Sequence, residues 1–310
     1  MDCEQFSVSA PGKLMVLGEH AVLKNRHAIV CAINQRIRIK CIPRSDEIIS
    51  IESSLGQFSS PIGDISVQKP FQFILSVMKK YNSKLDKGFH LKIDSDFSDK
   101  IGLGSSAAVT VAAVALINRI IGETKSKNDI FQESFNRIRE VQGTGSGADV
   151  AASVFGGVIL YRVNPLTIKS LNANIPIVVV NSGYKTPTVE VIDLVEERYR
   201  ENTRLCEQIY KIMEDSCHKA ASAINNEEWP NLGELLNINQ GLMDAIGVND
   251  KDLASIVYDL RKCPGIFGTK ISGSGLGDCI IGIGSVIDTP NFTFPILPLS
   301  IEPMGVRFDD

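Results

Sequence analysis

The sequence predicts an α+β protein, and three observations support that class. Apolar or alternating segments typical of β-strands fill residues 6–52, before the first amphipathic helix. Helical patterns then follow one another between residues 188 and 262. Strands and helices grouped in this way are typical of α+β folds and not of regular β-α-β winding. A chain of 310 residues also has room for two domains, and the turn at Asn164-Pro165 is the predicted boundary.

The first predicted domain spans residues 1–165 and combines strands with three helices. Period-two alternation and short apolar runs predict its strands, at residues 6–10, 14–17, 28–33, 36–40, 47–52, 88–93 and 158–162. Apolar residues at helical spacing predict its helices, at residues 70–81, 105–121 and 127–141. The helix at 105–121 is apolar almost all round, so we expect it to lie buried between layers.

The second predicted domain spans residues 166–310 and is richer in helix. Its strands are predicted at residues 175–180, 269–272 and 279–283. The segment between them predicts several amphipathic helices, with breaks near Cys217, within 225–230 and within 247–250.

The composition excludes several classes of function. Hydrophobic residues make up 44% of the chain and charged residues 22%, as in an ordinary globular protein, and the net charge is −4. That charge provides no broad basic surface for nucleic acid or anionic lipid. No apolar run reaches the roughly 18 residues of a membrane span, and the acidic start of the chain is unlike a secretory signal. We therefore expect neither a nucleic-acid partner nor a membrane partner.

The cysteines indicate the compartment. All seven are scattered, with no Cys-x-x-Cys pair, and the four histidines are scattered as well. This pattern argues against structural zinc and against a disulfide framework. Such cysteines are most often small core residues in a reducing compartment, so we expect a cytoplasmic protein.

The glycine-rich stretch at residues 100–108 is the strongest local signal for a ligand site. Gly102 and Gly104 permit a tight turn with exposed backbone N–H groups, and the apolar helix that follows offers the positive end of its dipole. Such a loop suits phosphate. Taken alone, it is equally compatible with an ordinary strand–helix turn that has a serine N-cap.

Two further glycine-rich turns, at residues 143–149 and 273–278, accompany the first. None of the three matches the Walker loop or the dinucleotide fingerprint. Beside them stand Lys13, in a Pro-Gly-Lys turn, and Asp149. Phosphoryl transfer requires amides for the phosphates, oxygen ligands for Mg²⁺, a group that positions the attacking hydroxyl and a cation for developing charge. The residues alone leave open the alternative of β-turns with a capping aspartate and a solvated lysine.

Three motifs together resemble the signature motifs of the GHMP kinases. They are residues 9–13 with 18–23, then 102–108, then 270–277, in the order of that superfamily and across nearly the whole chain. The resemblance implies a two-domain fold: an N-terminal domain like the second domain of ribosomal protein S5, and a ferredoxin-like C-terminal domain. Within the superfamily, residues 18–22 and 236–240 resemble the mevalonate kinase family.

The resemblance implies an ATP- and Mg²⁺-dependent kinase that phosphorylates the primary hydroxyl of mevalonate. The loop around the triphosphate would consist of Gly102, Leu103, Gly104, Ser105, Ser106 and Ala107. Ser106 would also be a Mg²⁺ ligand. Asp149 matches the catalytic aspartate of the family and Lys13 the lysine beside it. An ion pair between them would keep the carboxylate ionised while it accepts or orients the substrate's hydroxyl proton.

The same resemblance implies where the acceptor binds. Glu19 and His20 match residues that line the mevalonate pocket, and Gly273 and Ser274 would close the site from the second domain. The small-molecule acceptor is then the main partner. Homodimers are common among GHMP kinases, so a homodimer is a further expectation.

Some positions depart from the pattern of the mevalonate kinases. Ser98 and Lys100 stand where a proline and a glycine usually precede the phosphate loop, and Lys100 would add a cation there. The usual Mg²⁺ glutamate, eleven residues before the aspartate, is Ile138. Glu140 is the nearest carboxylate, but it lies about 200° round the helix at roughly 100° per residue, and it could serve only in a shifted helix.

Other residues favour different acceptors or none. Gln142, the run at 145–149 and the pair Asp278-Cys279 resemble the phosphomevalonate kinase branch. A phosphorylated acceptor requires additional basic residues, for which Lys185 is a candidate, although a solvated loop lysine explains it as well. A third alternative is a nucleotide-binding sensor that has kept the fold without catalysis.

Overall fold

A computed structural model describes residues 4–98, 101–171, 174–287, 292 and 294–309. Its larger sheet has eight strands, at β1 (Phe6–Leu17), β2 (Ala28–Pro43), β3 (Ile48–Ser53), β4 (Gly56–Pro61), β5 (Phe89–Ser95), β6 (Val158–Arg162), β7 (Thr167–Leu171) and β12 (Arg307–Asp309). The order is β12-β1-β2-β5-β3-β4, and β6 pairs with both β2 and β7. Only the β3–β5 pairing, among the described strands, is parallel.

Four helices pack with this sheet, at α1 (Gln72–Tyr81), α2 (Ser105–Ile120), α3 (Lys127–Gln142) and α4 (Ala148–Phe155). The middle of α2 is buried on all sides, as the sequence predicts for a helix without a polar face. It contacts β1, β2 and the other three helices of this group. A helix so enclosed holds its first turn in a fixed position relative to β1.

The second sheet has four antiparallel strands, at β8 (Ile177–Asn181), β9 (Ile266–Ser272), β10 (Cys279–Gly284) and β11 (Ile296–Leu297). Their order, β11-β8-β10-β9, is the 4-1-3-2 order of a ferredoxin-like sheet. Four helices accompany the sheet, at α5 (Thr188–Arg198), α6 (Thr203–Asn225), α7 (Trp229–Ala245) and α8 (Lys251–Arg261). No helix in the described part of the chain is both long and apolar enough to cross a bilayer.

The predicted helix break near Cys217 is wrong. Helix α6 runs through that position, because Cys217 follows Met213 at helical spacing and both side chains are fully buried on the same face. Neither glycine nor proline interrupts the segment. Helix α4, with its run of small residues, and the edge strand β4 were not predicted.

The segments predicted as separate strands at 6–10 and 14–17 form the single strand β1. A register shift between Pro11 and Lys13 absorbs the irregular turn without ending the strand. This irregularity lies directly beside the phosphate loop, so it places the backbone of Lys13 where the site is built.

The chain crosses between the two sheets more than once. Strands β7 and β12 lie beyond the predicted boundary at residue 165, yet both add to the first sheet. The buried guanidinium of Arg36 donates to the carbonyls of Met304 and Gly305 and so fixes the returning segment. We propose a division that follows the sheets, with residues 177–297 as the second domain and both flanking parts as the first.

Candidate active site

The phosphate loop connects β5 to α2 and is fixed by β1. The backbone N–H of Lys13 donates to the carbonyl of Leu103 over 2.8 Å. Gly12 permits this approach, since a Cβ there would lie 2.8 Å from the same carbonyl oxygen. Gly102 and Gly104 have φ values of 79° and 81°, which favour glycine. The loop is therefore held open at the N-terminus of a buried helix.

Within the described part of the chain, no side chain caps helix α2. Its N-cap position is Gly104, so the serine N-cap of the alternative reading is absent and neither Ser105 nor Ser106 serves in that role. The first amides of the helix and the positive end of its dipole therefore face the cavity beside the loop, where they can bind phosphate oxygens. Lys100 lies outside the described residues.

Lys13 and Asp149 meet at the base of the cavity. The Nζ atom of Lys13 lies 3.4 Å from Oδ1 of Asp149, and the lysine is buried whereas 41% of the aspartate side chain is exposed to the cleft. Asp149 occupies the first turn of α4. The hydroxyl of Tyr161 donates to the carbonyl of Ser146 over 2.6 Å and fixes the loop that leads into this turn.

The charge of Lys13 is stabilised by several carboxylates. Burial alone would lower the pKa of this lysine, but the charges of Asp149, Asp278 and Glu19, together with the hydrogen bond that Lys13 donates to Asp149, outweigh it and the pKa is raised. Lys13 is therefore a permanent cation at the point where the glycine loop, α4 and the second domain meet.

Glu19 and His20 lie next to a buried polar cluster from the second domain. The ammonium group of Lys270, which is fully buried, donates to Glu19 and to its own neighbouring carbonyl of Ile271. The side-chain amide of Asn239 lies 3.4 Å from the other oxygen of Glu19. Burial lowers the pKa of Lys270, and the charge of Glu19 opposes that shift. The carboxylate of Glu19 is thus held by an interdomain ion pair.

His20 joins the first domain to the glycine loop of the second. Its Nε2 lies 2.8 Å from the carbonyl of Ser274, so this nitrogen carries the proton and donates. Burial lowers the pKa of His20, although the hydrogen bond to Ser274 and the charge of Glu19 oppose the shift. The neutral imidazole therefore fixes residues 273–274 above the cavity.

The turn at 273–278 ends in an aspartate with unusual geometry. Asp278 has a φ of 68°, and only 4% of the residue is exposed. Its Oδ1 lies so near Gly102 that a Cβ on that glycine would be 2.3 Å from the oxygen. Burial raises the pKa of Asp278, and the charges of Lys185 and Lys13 act in the opposite direction. A carboxyl group from the second domain thus lies against the phosphate loop of the first.

These elements enclose a cavity of about 380 Å³. Of the candidate residues predicted from the sequence, all but Leu103 and Glu140 line it. Leu103 is buried and contributes its carbonyl to Lys13 instead. A neighbouring cavity of about 770 Å³ shares Ser105 and Ser106 with the first. The two spaces therefore meet at the start of α2.

Glu140 lies outside the cavity. Its carboxylate accepts two hydrogen bonds from Arg137, one of 2.6 Å, and 57% of its side chain is exposed. Ile138, two residues earlier, is the residue that lines the cavity. The shift of α3 that the metal-ligand expectation for Glu140 required is not present.

Three residues of the site were not assigned a role from the sequence. The sequence patterns include Lys270 only as part of a motif, Asn239 only as part of a helix, and Asp278 only as a feature of the phosphomevalonate kinase branch. A lysine that is the only charged residue of a strand ending at a glycine turn was an available signal for Lys270, because a buried lysine requires a carboxylate partner. No pattern along the chain indicated that this partner would be Glu19.

Comparisons with known proteins agree with this architecture. The family profile described as GHMP kinases N terminal domain matches residues 71–157, and that described as GHMP kinases C terminal matches residues 220–286. Mevalonate kinase of Pyrococcus furiosus is 32% identical over 301 residues, covering 89% of this chain and 88% of the relative. Mevalonate kinase of Archaeoglobus fulgidus is 32% identical over 303 residues, covering 97% and 99%.

The chain belongs to the GHMP kinase family. Within that family, the curated relatives that it resembles across most of its length are mevalonate kinases. The crystal structure of Methanococcus jannaschii mevalonate kinase matches with a TM-score of 0.81 at 19% identity, covering 97% of this chain and 99% of that one. This likeness concerns the fold alone. The predicted class and the two-domain GHMP kinase fold are confirmed.

Proposed function

We propose that this protein is an ATP-dependent kinase that phosphorylates the primary hydroxyl of mevalonate and yields 5-phosphomevalonate. The observation that carries the proposal is the Lys13–Asp149 pair, which lies between the phosphate loop and the pocket at Glu19 and His20. A hydroxyl that reaches Asp149 from that pocket also faces the N-terminus of α2. The similarity to mevalonate kinases supports this choice of acceptor.

ATP is proposed to occupy both cavities. The phosphates would accept hydrogen bonds from the amides of the glycine loop and of the first turn of α2. The adjoining cavity is lined by aromatic and aliphatic groups that include Leu55, Phe71 and Phe97, which suit a planar base. Since Ser105 and Ser106 border both spaces, one nucleotide can extend through them.

The chain's own residues supply the remaining parts of the reaction. The acceptor oxygen attacks the γ-phosphorus of ATP, the bond from that phosphorus to the β–γ bridging oxygen breaks, and ADP leaves. Asp149 orients the hydroxyl and receives its proton as the new P–O bond forms. The Lys13 ammonium, fixed 3.4 Å from the carboxylate, stabilises negative charge on the transferring group.

Mg²⁺ is the proposed cofactor, and the donor set at the cavity fits it. Hydroxyl and carboxylate oxygens are the ligands that this ion takes beside nucleotide phosphates, and Ser106, Asp149 and Asp278 all line the space. When bound, the ion neutralises charge on the phosphates. Ser106 would hold it from the start of α2.

A coupled assay of ADP release with mevalonate and phosphomevalonate in parallel tests the function. Turnover with mevalonate alone is expected. Preference for phosphomevalonate would favour the other branch, for which Lys185 at the cavity is the available basic residue. Turnover with neither acceptor, together with ATP binding in calorimetry, would favour the sensor.

Location and assembly follow the same proposal. The six described cysteines are buried and none is paired with another of them in a disulfide, which suits a reducing compartment, and we propose the cytoplasm. A homodimer stays a prediction from the resemblance, and sedimentation equilibrium would test it.

A further inference from the structure

The carboxylate of Asp278 lies against a loop that is suited to bind anions, and this placement requires an explanation. The amides of the glycine loop attract phosphate, yet Oδ1 of Asp278 lies against Gly102 of that loop. A nucleotide phosphate bound there would meet a second negative group at short range. Like charges at such a distance repel strongly in a partly dry cleft, unless a cation lies between them.

The Oδ1 atom of Asp278 is buried and has no hydrogen-bond partner among the described residues. The other carboxylates described in the cavity are already engaged: Glu19 by Lys270 and Asn239, and Asp149 by Lys13. A buried carboxylate oxygen without a partner is costly, and because Asp278 lines the cavity, a ligand there is expected to satisfy it.

The backbone at Asp278 is also held in an unfavourable conformation. Its φ of 68° lies in the left-handed region, where glycine would be unstrained. The N–H of Asp278 donates to the carbonyl of Tyr184, and its own carbonyl accepts from the N–H and the hydroxyl of Ser182. These bonds fix the residue in place and direct its side chain at the loop.

We propose that Asp278 is the carboxylate ligand of the divalent cation that accompanies the ATP phosphates, and that it reaches the ion from the second domain. In this arrangement Ser106 and Asp278 bind the cation from opposite sides of the cleft, and Ile138 leaves no carboxylate on α3 for that role. The proposal rests on the nucleotide site proposed above. It makes cation binding depend on the position of the second domain's glycine turn.

The test measures cation binding directly. Electron paramagnetic resonance of Mn²⁺ gives the affinity of the ion for the complex of the protein with a non-hydrolysable ATP analogue. Asp278→Asn and Asp278→Gly are each expected to weaken Mn²⁺ binding at least ~10-fold, as loss of a ligand does. Glycine and asparagine both accept the local φ, so the fold is retained. Asp259→Asn, on the exposed face of α8, is the matched control and should change nothing.

Binding of the analogue in the presence of a chelator provides the second measurement. Because the carboxylate of Asp278 lies beside the loop and repels phosphate, the unsubstituted protein should bind the metal-free analogue more weakly than Asp278→Asn does. With Mn²⁺ present the order should reverse. Unchanged Mn²⁺ affinity in both variants would overturn the proposal. It would also be overturned if Asp278→Asn bound the analogue more tightly than the unsubstituted protein by the same factor with and without Mn²⁺. Failure of the unsubstituted protein to bind the analogue under any condition would remove the proposed function as well, so the two failures can be told apart.

Discussion

The two glycine-rich turns that face each other across the cleft differ in how they are built. The turn at 102–104 places only glycines at positive φ, and the helix behind it has no side-chain cap. The turn at 273–278 also places Leu276 and Asp278 at positive φ, and hydrogen bonds to the segments at 182–186 and 248 hold it. The first turn is specified mainly by its own glycines, with one backbone hydrogen bond to β1, whereas several contacts distant along the chain hold the second.

Because of this difference, the two turns are suited to different functions. The first exposes amides and suits any phosphate, so it supplies nucleotide affinity without selecting an acceptor. The second lies beside two contacts that form only when the two domains are assembled, the Lys270–Glu19 ion pair and the hydrogen bond from His20 to the carbonyl of Ser274. We therefore expect substitutions near the second turn to couple stability with acceptor binding, and those near the first to affect the nucleotide.

The largest expected effect comes from breaking the ion pair beside the second turn. Lys270→Met would leave Glu19 charged and buried without its partner, which costs about 3–5 kcal/mol of unfolding free energy. Urea unfolding followed by circular dichroism measures it. The double variant with Glu19→Gln removes the orphaned charge and should recover most of the loss. Additive losses in the double variant would contradict the ion-pair account.

Asp149→Asn tests the chemistry between the two turns. The amide cannot accept the hydroxyl proton, so kcat should fall at least ~10²-fold while the protein folds and binds ATP. Steady-state kinetics measures kcat, and a calorimetric ATP titration measures ATP affinity independently. Near-normal turnover would remove Asp149 from the mechanism.

Gly104→Ala tests the local character of the first turn. The new Cβ would lie 2.8 Å from Cγ of Lys13, and the φ of 81° is unfavourable for alanine by roughly 1–2 kcal/mol. Stability should fall by about that amount, and ATP affinity should fall with it, as calorimetry would record.

Gly122→Ala is the matched control for that change. Its φ is 73°, but nothing lies within 4 Å of the added Cβ. The same backbone strain should therefore lower stability without lowering ATP affinity. An equal loss of ATP affinity in both variants would mean that the first turn is not specifically built for the nucleotide.

The smallest expected effect belongs to Glu140→Gln. The exposed carboxylate of Glu140 pairs with the buried guanidinium of Arg137, which Glu133 also neutralises, so losing this charge should cost only about 0–1 kcal/mol. The dependence of kcat on Mg²⁺ concentration should match that of the unsubstituted protein. A shifted Mg²⁺ requirement would return Glu140 to the list of candidate ligands.

The contrast between the turns also explains what could be predicted from the sequence. Helix α2 and the loop before it follow from Gly102, Gly104 and a long apolar run, all within twenty residues. The partners of Glu19 could not be found in this way, because Lys270 is separated from it by 251 positions and meets it only in the folded chain. Helix α6 was divided wrongly near Cys217, where no breaker residue stood.

The resemblance to family motifs related some residues that lie far apart along the chain, and the limits of that resemblance have a physical cause. It related Lys13 and Asp149 to each other, and the structure brings them to 3.4 Å. It also directed attention to Glu140 as a cation ligand, because the usual position holds Ile138 and the motif offered no other carboxylate on α3. The buried carboxylate oxygen without a hydrogen-bond partner that lies beside the phosphate loop belongs instead to Asp278, across the cleft, and the spacing of residues along α3 could not indicate it.

The return of the chain to β12 has a mechanical consequence. The second domain is attached at two places, one between β7 and β8 and the other between β11 and the segment that pairs Ile301 with Ile33. A domain with two connections to its neighbour is more restricted in its movement than a domain attached at one end only. Any movement of the second domain is therefore restricted mainly to rotation about the line that joins the two attachments, and the hydrophobic core that both domains share resists even that rotation.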